Sequence, residues 1–257
     1  MHLDLLFDPF GARWADVLAG AREAEVAGFS GLWTYDHLAG SVHGAPRVLE
    51  AWTVLSSVAA SVPRLAIGPL VLNVANRDAG VVAVAAATLQ EISGGRLLLG
   101  LGAGGGRATP YAAEQLALGR TLAVDAVRRK AVIETVTRIR EVWSGEVGGV
   151  GGFLRPEPAP PIIVGGFGPQ MALLAGRHAD GINLPGGPQL VKLLAIARRA
   201  REETDQDAAT FVVTASADPT PRSAERLADL GVDRMIVRVG PPFTAGVREV
   251  AGRLGLG

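Results

Sequence analysis

Short apolar runs alternate with helix-period segments eight times along this chain, and that regularity constrains the fold more than any single motif. The runs fall at residues 3–8, 31–36, 65–74, 96–103, 162–165, 181–184, 211–216 and 234–239. The helical segments fall at 13–27, 49–61, 80–92, 111–143 (broken near Gly119), 170–178, 189–203, 222–230 and 245–254. Runs such as Leu97-Leu98-Leu99 are apolar throughout, as in strands covered on both faces. Strict alternation implies parallel strands joined by right-handed crossovers. Eight repeats favour closure into a (β/α)8 TIM barrel over an open doubly wound sheet. The 257 residues match the roughly 250 that such a barrel needs. No shift in composition marks a boundary, so residues 1–257 read as one domain.

In such a barrel, function collects at the C-terminal ends of the strands. Strand placement alone therefore nominates Asp8, Asp36 and His37, Asn73 to Arg77, Gly102 to Arg107, Gly165 to Pro169, Asn183 and Arg238. The third run is interrupted by Gly68-Pro69, and a proline that cannot donate to a ladder predicts a bulge or bend there. Residues 144–161, rich in Gly and Pro, read as loop.

Net charge near zero leaves no electrostatic footprint for nucleic acid or a membrane surface. The first ten residues lack the basic region of a signal peptide. No apolar run reaches the roughly 18 residues of a membrane span. The expectation is a cytoplasmic protein. With no cysteine, disulfides, thiolate metal sites and cysteine nucleophiles are excluded. No His/Asp/Glu group has metal-ligand spacing, and no serine sits in a GxSxG elbow.

Two glycine motifs and one histidine carry the chemistry. Gly100-Leu101-Gly102-Ala103-Gly104-Gly105 formally fits GxGxxG. A dinucleotide site wants a helix at once and an acidic residue about 20 positions on. Here Arg107 to Pro110 intervene and a long helical segment fills the downstream position. A plain turn and a bare backbone platform for a cofactor are the other readings. In Gly165-Gly166-Phe167-Gly168-Pro169, Pro169 suits the first position of a helix. The amides of Gly168, Gln170 and Met171 would then face the mouth as an anion site suited to phosphate. The alternative is an ordinary strand-to-helix turn. Histidine as a residue type can move a proton near neutral pH, so His37, beside Asp36 at a strand end, is a candidate for a catalytic step; otherwise it is a loop histidine. His43 and His178 read as surface or structural. Glu50 reads as an exposed carboxylate at a helix start, favoured by the dipole.

Several stretches resemble one known family: EVAGFSGLWTYDHLAG, LEAWTVLSSVAASVPRLAIGPLVLN, AATLQEISGGRLLLGLGAG, a long helix ending IREVWSG, and PPIIVGGFGPQMALLAGRHADGIN. In order and content they are similar to the bacterial luciferase-like flavin and deazaflavin oxidoreductases, from about Leu3 to Asn183. The resemblance implies a TIM barrel with FMN, or the deazaflavin coenzyme F420, in its mouth. The Asp36-His37 pair and the WSG-terminated helix look like the F420-dependent branch. It further implies that Asp36 and His37 line the ring and substrate space, and that Leu70-Val71 forms a cis-peptide bulge behind the ring with Asn73 at its rim. Gly102, Ala103 and Gly104 would skirt the cofactor, and Gly165, Gly166, Phe167, Gly168 and Pro169 would hold phosphate.

The chain departs from the family's pattern in three places. No proline follows Arg77, no aromatic follows Asp36-His37-Leu38, and the connection at 146–160 is much shorter than the family's usual insertion. A shortened insertion implies an open pocket, a roof supplied by a partner subunit, or a lost substrate role. The leading expectation is an F420-dependent oxidoreductase acting on a small organic substrate. An FMN-dependent monooxygenase and a non-catalytic flavin-binding barrel are the alternatives. The segment 80–92 is apolar nearly all round, which predicts a homodimer interface on its outer face.

Overall fold

The computed structural model describes residues 1–256. Its first half contains β1 (His2–Phe7), α1 (Trp14–Val26), β2 (Gly31–Thr34), α2 (Ala51–Ser61), β3 (Ala66–Pro69), β4 (Leu72–Asn73), α3 (Ala79–Ile92), β5 (Leu99–Gly102), α4 (Tyr111–Ala117) and α5 (Asp125–Trp143). There follow β6 (Glu146–Val147), β7 (Val150–Gly151), β8 (Ile162–Gly165), α6 (Pro169–His178), β9 (Gly181–Leu184), α7 (Leu190–Glu202), β10 (Val212–Ser216), α8 (Pro221–Asp229), β11 (Arg234–Val239) and α9 (Phe243–Leu254).

The main sheet is parallel and runs β3-β2-β1-β11-β10-β9-β8-β5-β4. Its two ends are the halves of one interrupted strand, so the row closes on itself. Ile67 bonds Arg96 and Leu98 across the seam at 3.0 and 2.8 Å. This is the expected (β/α)8 barrel. Strand residues alternate between two cores. Leu5, Leu32, Ile67, Leu99, Leu101, Val164, Ile182 and Val237 face the helices. Leu6, Trp33, Leu70, Ile163 and Ile236 fill the barrel. At the N-terminal end, Asp4 is wholly buried and accepts from Trp33 Nε1 at 2.8 Å and Arg234 Nη1 at 2.8 Å.

Two expectations are corrected, the place of the bend in the third strand and the loop at 144–161. The bend in the third strand falls one step later than Gly68-Pro69. Pro69 stays in register opposite Thr34, and the Leu70 amide donates to Thr34 in its place. The break is at Leu70-Val71, the cis peptide that the family resemblance implied. The break expected near Gly119 in the segment 111–143 is present: Gly119, at φ 72°, ends α4, and Gly119 and Arg120 donate back to Leu116 and Gln115. The loop 144–161 holds a small antiparallel hairpin, β6–β7. Gly148 and Gly149, both at positive φ, supply the turn that matches strand twist.

Candidate active site

The strand ends converge on the mouth, and their first contribution is an ion cluster. Asp36, just past β2, is buried and accepts from Arg77 Nη2 at 2.6 Å, Arg77 Nε at 3.2 Å and the Asn73 amide at 2.9 Å. Arg77 Nη2 also donates to Glu50 at 2.7 Å. Glu50 in turn caps α2, accepting from the amides of Trp52 and Thr53 at 2.9 and 2.7 Å. Burial disfavours a charged Arg77, but bonding to Asp36 and Glu50 more than offsets it and holds its pKa above the ordinary value. Burial likewise opposes ionisation of Glu50, yet the Thr53 and Trp52 amides, the Thr53 hydroxyl and Arg77 hold its pKa below the ordinary one. Glu50 is thus the expected helix-start carboxylate, but it also reaches into the mouth's ion network. Asp36 has its carboxylate engaged in fastening β2 to β4.

On the arc formed by β4, β5 and β8, the glycines have an occupant of their own. A Cβ at Gly102 would overlap Val71, and one at Gly165 would lie 2.8 Å from Val71 Cγ1. Val71 therefore beds in a recess that only glycines leave open, with Leu70 buried beside it. Beyond it, Gly104 at φ 72° lies against the Asn73 side chain. Arg128 of α5 donates to the carbonyls of Ala103 and Gly104. Next comes the start of α6, with Gly168 as N-cap and Pro169 at the first turn, as expected. Among the described residues the amides of Gly168 and Gln170 donate to nothing, and the space at the Gly168 α-carbon is open. The Met171 amide, expected to be free as well, is instead spent on the Gly168 carbonyl at 3.1 Å. Phe167 stands 86% exposed on the same rim.

The opposite arc holds a cavity of about 510 Å³ floored by Leu6 and Ile236 and flanked by Tyr35, Ser216, Arg226 and Arg238. Burial pushes the Tyr35 phenol above its ordinary pKa, with Arg238 opposing and Asp8 adding to the effect. Tyr35 therefore remains a neutral hydrogen-bond donor at neutral pH. Arg238 donates to Asp8 at 2.7 Å, and Asp8 also accepts from the Phe10 amide at 3.1 Å. Asn183 lies deeper, donating to Thr214 at 2.7 Å.

His37 stands among Phe10, Tyr111, His43 and Tyr35, with ring centroids 5.2, 4.8, 5.6 and 6.2 Å away. Its Nδ1 lies 3.0 Å from Glu114 Oε2. Glu114, only 4% exposed, also accepts from the Leu38 and Ala39 amides. His43, expected at the surface, is exposed but packs on Phe10 at 4.3 Å. Among the described residues no three His, Asp or Glu side chains are grouped to hold a metal ion.

The profile of the luciferase-like monooxygenases matches residues 6–256. The chain belongs to that family. An F420-dependent hydroxymycolic acid dehydrogenase from Mycobacterium tuberculosis is 31% identical over 90% of this chain and 64% of its own length. An F420-dependent glucose-6-phosphate dehydrogenase from Microbacterium testaceum is 31% identical over 71% of this chain and 59% of its own. The chain thus spans about three-fifths of the length of these curated relatives. Among solved structures, an F420-dependent secondary alcohol dehydrogenase in complex with an F420-acetone adduct superposes with a TM-score of 0.84 at 17% identity, covering 99% of this chain and 98% of that one. A coenzyme F420 dependent tetrahydromethanopterin reductase from Methanopyrus kandleri gives 0.76 at 16%, covering 98% of each.

For this luciferase-like chain, the structure gathers Leu70, Val71, Asn73, Gly102, Ala103, Gly104 and Gly165 to Pro169 on one arc of the mouth, with Asp36 bonded to Asn73. His37 is joined to α4 instead. Strand-end reasoning missed Glu114, Tyr111, Phe10, Tyr35 and the Ser216–Arg226 side of the cavity. Tyr35 was within reach of it, two residues along from the inward Trp33. Glu114 carried no signal, because nothing in the local pattern YAAEQLA marks its carboxylate as buried.

Proposed function

We propose that this protein is an F420-dependent oxidoreductase that interconverts an alcohol and a carbonyl on a small organic substrate. The observation that carries the reading is the 31% identity over 90% of the chain to an F420-dependent dehydrogenase. The mouth fits such a cofactor. Two unspent amides at the start of a ten-residue helix suit its phosphate, and the arc of Val71, Gly102 and Gly104 offers a flat wall with few side chains. When bound, F420 supplies the ring carbon that exchanges a hydride with the substrate. The chain's own residues bind and orient. Gly168 and Gln170 would hold phosphate, Val71 would back the ring, and Asp36 with Arg77 keeps the Asn73 rim in place. Substrate would lie toward the cavity beside the Tyr35 phenol and Arg238. His37 Nε2 would accept the hydroxyl proton during oxidation and return it during reduction.

A second reading, an FMN-dependent monooxygenase, is favoured by the family's own description and by the 0.70 TM-score to a monooxygenase from Streptomyces bottropensis. Titration of the purified protein with F420 and with FMN, followed by absorbance and fluorescence, separates the two. Micromolar binding of F420 and none of FMN is expected, and the reverse order would overturn the reading.

We further propose a homodimer formed through the outer face of α3. Val81, Val84 and Ile92 are exposed on α3, Val81 by 67%. An apolar face of this kind suits a second copy. Light scattering at micromolar concentration should give twice the 26.5 kDa chain mass. No helix among the described residues is long and apolar enough to cross a membrane, which accords with a cytoplasmic location.

A further inference from the structure

We infer that Glu114 is a positioning residue that fixes His37 in the tautomer with its lone pair on Nε2, the form that accepts a proton at the mouth. The inference rests on the proton-transfer role proposed for His37. Glu114 sits on α4, 77 residues from His37 in sequence, yet its carboxylate is buried and meets three donors. One oxygen takes the amides of Leu38 and Ala39, and the other faces His37 Nδ1 at 3.0 Å. A carboxylate has no proton to give, so this contact is a hydrogen bond only if Nδ1 carries the hydrogen. Nε2 is then the basic nitrogen of the neutral ring. Among the described residues it has no hydrogen-bond partner. A carboxylate that orients the far side of an imidazole while the near side handles the proton is a recurrent catalytic arrangement.

The ring has little freedom to flip. Phe10 and Tyr111 pack on it at centroid distances of 5.2 and 4.8 Å, with interplanar angles of 37° and 32°. The titratable groups around it are Glu114 and Tyr111 from α4, His43 from the loop after β2, and Tyr35 beside it in sequence. Of these, Glu114 alone contacts a ring nitrogen of His37. The two backbone bonds have a separate effect: they hold the 37–39 turn against α4, so the ring's height above the strand end is also set by Glu114.

The test uses the intact chain, 15N-labelled at histidine. Two-bond 1H–15N spectra at a pH where His37 is neutral report which nitrogen carries hydrogen, with His37→Gln used to assign the signals. The wild type should show hydrogen on Nδ1; hydrogen on Nε2 would overturn the inference without any variant being needed. Glu114→Gln keeps one oxygen for the Leu38 and Ala39 amides but can turn its NH2 toward the ring, so hydrogen should move to Nε2. With F420 bound, Glu114→Gln should lower kcat by about 100-fold or more, within the range for a displaced general base, and leave cofactor affinity unchanged. Unchanged kcat in a folded variant would also overturn the inference. The spectra need no cofactor, so absence of F420 turnover in the wild type would sink the functional reading while the tautomer result still judges the role of Glu114.

Discussion

The two ends of the barrel carry the same chemistry, a buried aspartate held by an arginine, and they use it differently. At the floor, Asp4 has no exposed surface, and Arg234 and the Trp33 indole are committed to it. At the mouth, Asp36 is equally enclosed, but its arginine is shared with Glu50, which is partly open to water, and its other partner is the Asn73 amide on the rim. The floor cluster closes on itself. The mouth cluster passes its order outward, to the segment that bears Val71 and Asn73. In a TIM barrel the first pattern belongs to stability and the second to the site.

The contrast is sharpest at Asp4. Asp4→Ala strands a largely buried guanidinium and an indole N–H, so unfolding stability measured in urea should drop by about 3–5 kcal/mol. Cofactor affinity of the remaining folded protein should be unchanged; a loss of affinity with little loss of stability would break the distinction between the ends.

Arg77→Met should cost less, about 1.5–3 kcal/mol, because water reaches part of the mouth cluster. Unlike the floor variant, it should also weaken cofactor binding through Asn73. It should flatten the acid limb of the stability curve as well. Glu50 has a folded pKa below its ordinary 4.5, so the unfolded chain takes up its proton first. The stabilisation from Glu50 is complete above that ordinary value and is lost as pH falls through the lower folded one. Part of it comes from Arg77, so the variant should lose less between neutral and acid pH than the wild type, as measured by thermal melts across that range.

The order of elements was legible in the sequence because periodicity and length separate strands from helices with little help from tertiary context. The mouth roster followed from where the strands end. The recess around Val71 was legible only as glycine. Gly102 and Gly165 announced a close approach but not what approaches, since a bare backbone suits a side chain of the same protein as well as a ligand. Glu114 was illegible: its burial depends on meeting three donors more than 70 residues away, a property of the closed fold alone.

Gly102→Ala tests the recess. The added methyl overlaps Val71, so a cost of about 1–3 kcal/mol is expected, and the double variant with Val71→Ala should lose less than the sum of the two single changes. Strict additivity in chemical denaturation would mean that the two residues do not meet. The smallest structural effect should come from Gly168→Leu, where an added side chain meets nothing: stability within about 0.5 kcal/mol of wild type, but weaker cofactor binding by fluorescence titration. Unchanged affinity would remove the phosphate role from the start of α6.

The seam between β1 and β11 sets when the protein can finish folding. Six consecutive pairs join the first strand to the last, and Asp4–Arg234 and Asp8–Arg238 each bridge 230 residues. During synthesis, β1 has one neighbour and one bare edge until β11 has left the ribosome. A nascent chain stalled before β11 would present that unpaired edge to other chains. Closure of the barrel, and the Asp4 floor that depends on it, therefore waits for β11, and clones truncated ahead of Arg234 should be recovered in inclusion bodies.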